Sequence, residues 1–113
     1  MAEVTERLAV YGTLAPSQPN HHQLAGLQGV WRPGSVRGRL VQEGWGADLG
    51  FPGLVLDASG DTVAVQLFES PDLPDHWSRL DAFEGEGYQR VLTQVVVANE
   101  VLVAYIYVIR PHY

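Results

Sequence analysis

The chain contains no cysteine. Disulfides, thiol nucleophiles and cysteine-ligated metal centres are therefore excluded. Lysine is also absent, since all seven basic residues are arginine. That rules out Schiff-base chemistry and a lysine-bearing phosphate loop. Positive charge is scarce: 13 acidic residues against 7 basic ones leave a net charge of −6. Such a surface repels phosphate backbones, so no nucleic-acid partner is expected. No apolar run approaches membrane-spanning length, and no membrane partner is expected either. The segment Met1 to Arg7 is polar and acidic, unlike a secretory signal. The expected location is the cytoplasm.

What is present fits a small globular chain. Its 113 residues suit one domain, 1–113. A hydrophobic share of 46% is enough to fill a core at this size. Twelve glycines and seven prolines point to many turns. Leu8 to Leu14 reads as a first strand, and Ala15 to Asn20 as a loop. His21 to Leu27 reads as a short helix. From Ser35 to Gln42, Val36, Gly38 and Leu40 share one face, with Arg37 and Arg39 on the other. Glu43 to Gly50 reads as an irregular loop and Phe51 to Asp57 as a short strand. After a turn over 57–61, Val63, Val65 and Leu67 alternate with polar or small residues, as in another strand. Ser70-Pro71 signals a helix start, and Gly85 a helix end. Tyr88 to Ala98 and Val101 to Ile109 read as two long strands joined at Asn99-Glu100. The expected class is α+β: a small curved or closed, mostly antiparallel barrel of about six strands, with one main helix and a short second one.

The helix beginning at Ser70 carries an anomaly. Leu73, Trp77 and Leu80 are spaced i, i+4, i+7, and the next position on that stripe is Glu84. At about 100° per residue, Glu84 falls near the stripe's centre. Asp75, Ser78, Arg79 and Asp81 lie off it. A glutamate is thus aimed at the core from the last turn of a helix. Burial and the negative end of the helix dipole both disfavour its charge. Both raise its pKa toward the range of a useful base near neutral pH. Fraying outward at the helix end, or pairing with Arg90, is the plain structural alternative.

Two segments add to this. Tyr11-Gly12-Thr13-Leu14 closes the first strand. Leu80 to Arg90, reading LDAFEGEGYQR, spans the helix end and the next strand. The pair resembles the gamma-glutamylcyclotransferase-like family, whose members include gamma-glutamylamine cyclotransferases. That family shows a YGTL-type segment, an LD-x-x-EG segment and Y-x-R shortly after. Asn20-His21-His22, Phe51 to Val55 and Val65 to Phe68 fall where the family often has similar residues. The resemblance implies that the backbone around Gly12, Thr13 and Leu14 holds the alpha-carboxylate of a gamma-glutamyl group. It also implies that Glu84 takes a proton from the substrate alpha-amine, which then closes on the gamma-carbonyl. The products would be 5-oxoproline and an amine or amino acid, with no metal or cofactor. Many relatives follow YGTL with arginine, whereas this chain has Ala15. Larger relatives also carry more residues after the last strand, so a more open site is expected here.

Tyr11, Tyr88 and Tyr105 are further candidates for the substrate pocket, while Tyr107 reads as an ordinary strand residue. Arg90 reads as a solvated strand arginine. His21 and His22 are adjacent and cannot easily converge on one metal, and His76 reads as a neighbour of the core. Trp31, Trp45 and Trp77 read as core or pocket wall. The expected partner is a small gamma-glutamyl substrate, and the expected state a monomer or weak homodimer. The competing possibility is a non-catalytic domain that binds a small acidic ligand on the same fold.

Overall fold

A computed structural model of the chain describes residues 3–11, 22–41 and 53–109. Its strands are β1 (Arg7–Val10), β2 (Val30–Val41), β3 (Gly53–Leu56), β4 (Asp61–Glu69), β5 (Tyr88–Val97) and β6 (Glu100–Ile109). Its helices are α1 (His22–Ala25) and α2 (Trp77–Glu84), with 3-10 turns at Val4–Glu6 and Leu73–Asp75. The order β2-β4-β1-β6-β5 closes on itself where Ser35 of β2 meets Val96 of β5. This makes a five-stranded barrel, and β3 adds to β2 outside the ring. Only β1 and β6 run parallel; every other pair is antiparallel. The expected small, mostly antiparallel barrel with one main helix is therefore observed, with five of the six strands in the ring and β3 outside it.

Period-two alternation sorts the strand residues into two cores. Ala9, Val36, Val65, Leu67, Val95, Ile106 and Val108 meet in one buried cluster, the barrel interior. Their outward neighbours Leu8, Val10, Phe68 and Tyr107 join Leu24, Leu73, Trp77 and Leu80 in a second cluster under the helices. Each fully buried leucine contributes about 1.5–3 kcal/mol. That second cluster holds α2 in place, because eight residues are too few to be helical alone. Leu40, expected to share a face with Val36 and Gly38, is exposed where they are buried. The β4 pairing ends at Gly38, so Leu40 lies past the closed ring, beside β3.

Several boundaries differ from the sequence expectation. β1 ends at Val10 rather than Leu14. β2 begins at Val30, not Ser35, because Pro33-Gly34 resembles a turn yet pairs with β4 as strand. Pro33 is exposed in this stretch of strand. Ala98-Asn99, not Asn99-Glu100, links β5 to β6, with Val97 paired to Glu100. The helix expected from Ser70 starts only at Trp77. Pro74 lacks the N–H that would bond the Ser70 carbonyl, so the first α-helical hydrogen bond cannot form. The chain instead makes three-residue steps: Leu73 N–H to Ser70 O at 3.3 Å and His76 N–H to Leu73 O at 2.8 Å. The α-helical pattern begins with Leu80 N–H to His76 O at 2.9 Å. The loops expected at 15–20 and 43–50, with His21 and Trp45, lie outside the described residues.

Candidate active site

Despite that break, the stripe persists. Leu73, Trp77 and Leu80 are buried, and Glu84 is only 9% exposed. It is one of just two buried polar or charged residues among those described, the other being Ser70. Burial pushes the Glu84 carboxyl up to about 7. Gly85 follows at φ 82° and ends the helix, its N–H bonding the Asp81 carbonyl at 3.1 Å. That leaves Glu84 as the last helical residue.

Two tyrosines face it from the barrel. Tyr11, just past β1, donates its hydroxyl to the Tyr107 carbonyl at 2.8 Å and accepts from the Leu54 N–H at 3.1 Å. One side chain thus ties the end of β1 to β3 and β6. Burial raises the Tyr11 hydroxyl far above the usual phenol range; the Leu54 hydrogen bond opposes this, and the charges of Glu84 and Tyr88 add to it. Tyr107 is raised likewise, first by burial, then by its bond to Asp81 and the charges of Asp81 and Glu84, with Arg90 opposing. Both phenols therefore remain protonated at neutral pH, as neutral donors near a carboxyl poised to ionise.

The last turn of α2 is bonded to the β5–β6 hairpin. Arg90 makes a two-pronged ion pair to Asp81, at 2.9 Å from Nε and 3.2 Å from the second guanidinium nitrogen. The Tyr107 hydroxyl donates to the same carboxylate at 2.6 Å. Burial works against the Asp81 charge, but the bonds from Arg90 and Tyr107 outweigh it and hold its pKa down. The Arg90 guanidinium lies 4.4 Å from the Trp77 ring centre and 4.3 Å from that of Tyr105. Trp77 in turn donates its indole N–H to the Thr5 carbonyl at 3.0 Å. A cavity of about 290 Å³ opens beside this cluster, lined by Asp81, Gly85, Tyr88, Gln89, Arg90 and Tyr107.

The structure thus brings together Tyr11, Glu84 and Tyr88, three of the side chains expected at the site. Of these only Tyr88 lines the cavity; Tyr105, which does not, serves as a platform for Arg90. Gly12, Thr13 and Leu14 lie outside the described residues. Three residues that sequence reasoning set aside belong here: Asp81, Arg90 and Tyr107. Arg90 is partly buried and takes Asp81 as a carboxylate partner. The signal was the hairpin register. A loop placed one residue late pairs Arg90 with Ile109, whereas Arg90 faces Tyr107. Among the described residues, no three His, Asp or Glu side chains converge as metal ligands would. No helix among them is long and apolar enough to cross a membrane.

The family model described as gamma-glutamyl cyclotransferase, AIG2-like, matches residues 8–113, nearly the whole chain. The chain belongs to this family. Among solved structures, an AIG2-like protein from Mus musculus is similar at 25% identity and a TM-score of 0.72, over 96% of this chain and 79% of that one. YkqA from Bacillus subtilis is similar at 26% identity with the same TM-score of 0.72, over 93% of this chain. The match spans only 36% of the Bacillus chain. An uncharacterized protein from Pyrococcus horikoshii, at 24% identity and a TM-score of 0.64 over 94% of this chain and 80% of that one, shares the fold. No curated protein matches the chain. The expected gamma-glutamyl cyclotransferase-like fold is thus the family fold.

Proposed function

We propose that the chain cyclises a small gamma-glutamyl amide or amine to 5-oxoproline, with Glu84 as general base. The observation that carries this reading is the Glu84 carboxyl, buried at a helix end with its pKa pushed up to about 7. A base poised there is ionised often enough to accept a proton, yet basic enough to hold it. In the proposed reaction Glu84 takes a proton from the substrate alpha-ammonium. The freed nitrogen attacks the gamma-carbonyl, a carbon–nitrogen bond forms, and the original amide bond breaks. The attacking nitrogen gives up a second proton as the lactam forms, and both protons end on the departing amine as its ammonium, so the step balances without water. Attack within one bound molecule means that holding the folded conformer supplies much of the rate. The backbone around Gly12, Thr13 and Leu14 is proposed to bind the alpha-carboxylate, since backbone donors beside a glycine approach an anion closely. Tyr11 and Tyr88 are proposed to wall the glutamyl chain, and Tyr105 to act from the second row.

The test is 5-oxoproline release from a panel of gamma-glutamyl amines, gamma-glutamyl peptides and glutathione. Glu84→Gln is expected to lower kcat by roughly a hundredfold or more while folding stays intact. kcat/KM is expected to rise with pH and level off above about 7. No lactam from any of these substrates, combined with a ligand-induced rise in melting temperature, would instead mark a binding domain.

A further inference from the structure

The base needs a rigid mount, and α2 is a poor one by itself. It is eight residues long, has no side-chain cap at its start, and leaves through a glycine. Its first turn is fixed by the buried Trp77 and Leu80. Its last turn, where Glu84 sits, has Ala82 exposed and Phe83 only partly buried. A carboxyl that prefers water favours a turn swung outward, and contacts that pin the turn oppose this. Asp81 is in that turn and accepts three hydrogen bonds, two from Arg90 and one from Tyr107. Arg90 also stacks on Trp77, one turn earlier, and on Tyr105 of β6. One guanidinium therefore grips two successive turns of α2 and the strand beneath them. Tyr107 extends the connection, because its carbonyl receives the Tyr11 hydroxyl.

We infer that Asp81 and Arg90 are a positioning pair, locking the last turn of α2 so that the Glu84 carboxyl stays buried against the barrel. Its consequence for catalysis rests on Glu84 being the base; the placement itself does not. The groups that face Glu84 from the barrel are Tyr11 past β1 and Tyr107 on β6, with Tyr88 of β5 beside Tyr11. Asp81 and Arg90 carry opposite charges side by side, so their summed field at Glu84 is small. Removing Arg90 therefore separates two effects by sign. Through space, loss of a positive charge raises the Glu84 midpoint. Loss of position lets water reach the carboxyl and lowers it.

The experiment titrates the Glu84 side-chain carboxyl by carbon-13 NMR in the wild type, Arg90→Gln and the double variant Asp81→Asn/Arg90→Gln. Cooperative thermal unfolding is checked for each, and lactam release is measured alongside. Both variants are expected to lower the Glu84 midpoint from about 7 by about one pH unit or more. kcat is expected to fall roughly tenfold to a hundredfold, with KM changing less than about threefold. Tyr107→Phe, which keeps every charge and removes one hydrogen bond, is expected to shift the midpoint less, in the same direction. It also serves if Arg90→Gln does not fold. An unchanged or raised midpoint in Arg90→Gln, or in Tyr107→Phe where that variant stands in, overturns the inference, as does a change confined to KM. If the wild type forms no lactam while the midpoint still falls, the cyclisation reading fails and the positioning pair stands.

Discussion

At the scale of single residues, Glu84 makes stability and function compete. Its pKa is raised from 4.5 in the free residue to about 7 in the fold, through burial. Below the lower value both states hold the proton, and the residue has no pH-dependent effect. As pH rises toward the upper value the unfolded chain ionises first, so native stability is progressively lost. Above it the loss is complete and constant, about 3 kcal/mol in all. Glu84→Gln removes this dependence. The stability difference between variant and wild type is expected to shift in the variant's favour by about 3 kcal/mol between about pH 4 and pH 8. Urea denaturation at a series of pH values checks this; parallel curves for the two proteins would mean that Glu84 is solvated. Glu84 was legible because one acidic residue interrupted a helical stripe of Leu73, Trp77 and Leu80. Asp81 was not, because its position off the stripe looks like any solvated helix residue. What makes it matter is Arg90 and Tyr107, which are distant in sequence and meet it only in the fold.

At the scale of elements, backbone sign decides two opposite outcomes. Gly85 takes φ 82° and ψ −174°, a region essentially reserved for glycine. A Cβ there would touch nothing within 4 Å, so any penalty is purely conformational. Gly85→Ala is expected to destabilise the chain by about 1–3 kcal/mol. It should also lower lactam release, since the turn it strains carries Glu84. Ala98, at φ 53°, is the first residue of the β5–β6 loop and the one non-glycine at positive φ among the described residues. Ala98→Gly is expected to be stabilising or close to neutral, within about 1 kcal/mol, as relief of the left-handed strain offsets the freer unfolded chain. Melting temperatures of the two variants check both directions; a loss with Ala98→Gly as large as with Gly85→Ala would contradict the assignment. The elements themselves were mostly readable from alternation and periodicity. Their ends were harder. Pro74 allows only a 3-10 turn before α2, and Pro33-Gly34 looks like a turn although β2 runs through it.

At the scale of the whole molecule, the barrel depends on one narrow seam. β2 and β5 meet at the single paired position Ser35 and Val96. Beside it, a Cβ on Gly34 would lie 2.9 Å from the Val96 carbonyl oxygen and 3.0 Å from the Val95 side chain. The missing side chain is what lets the two strands approach. Gly34→Val is expected to cost about 1–3 kcal/mol by overpacking. Hydrogen exchange should speed up at Ser35 and along Val95–Val97 before the rest of the sheet. Uniform exchange across all strands would show that the seam does not open first. The parallel β1–β6 pairing inside the ring also places the site, because it sets Tyr107 beside Tyr11, with its hydroxyl on Asp81 of α2.

The sequence alone determined the class of fold and the absence of thiol and lysine chemistry, and it singled out Glu84 as a charge on an apolar stripe. Those depend on composition and on local periodicity, which need no knowledge of distant partners. It also carried the family resemblance, through two short segments at the right separation. Only the tertiary structure decided the closing of five strands into a barrel, because that rests on β2 meeting β5 across more than fifty residues of chain. It alone decided which carboxylate Arg90 takes, because a two-residue difference in hairpin register leaves the strand pattern unchanged while exchanging Ile109 for Tyr107 opposite it. Glu84 was visible as a misplaced charge; what holds it there became visible only when helix and hairpin were brought together.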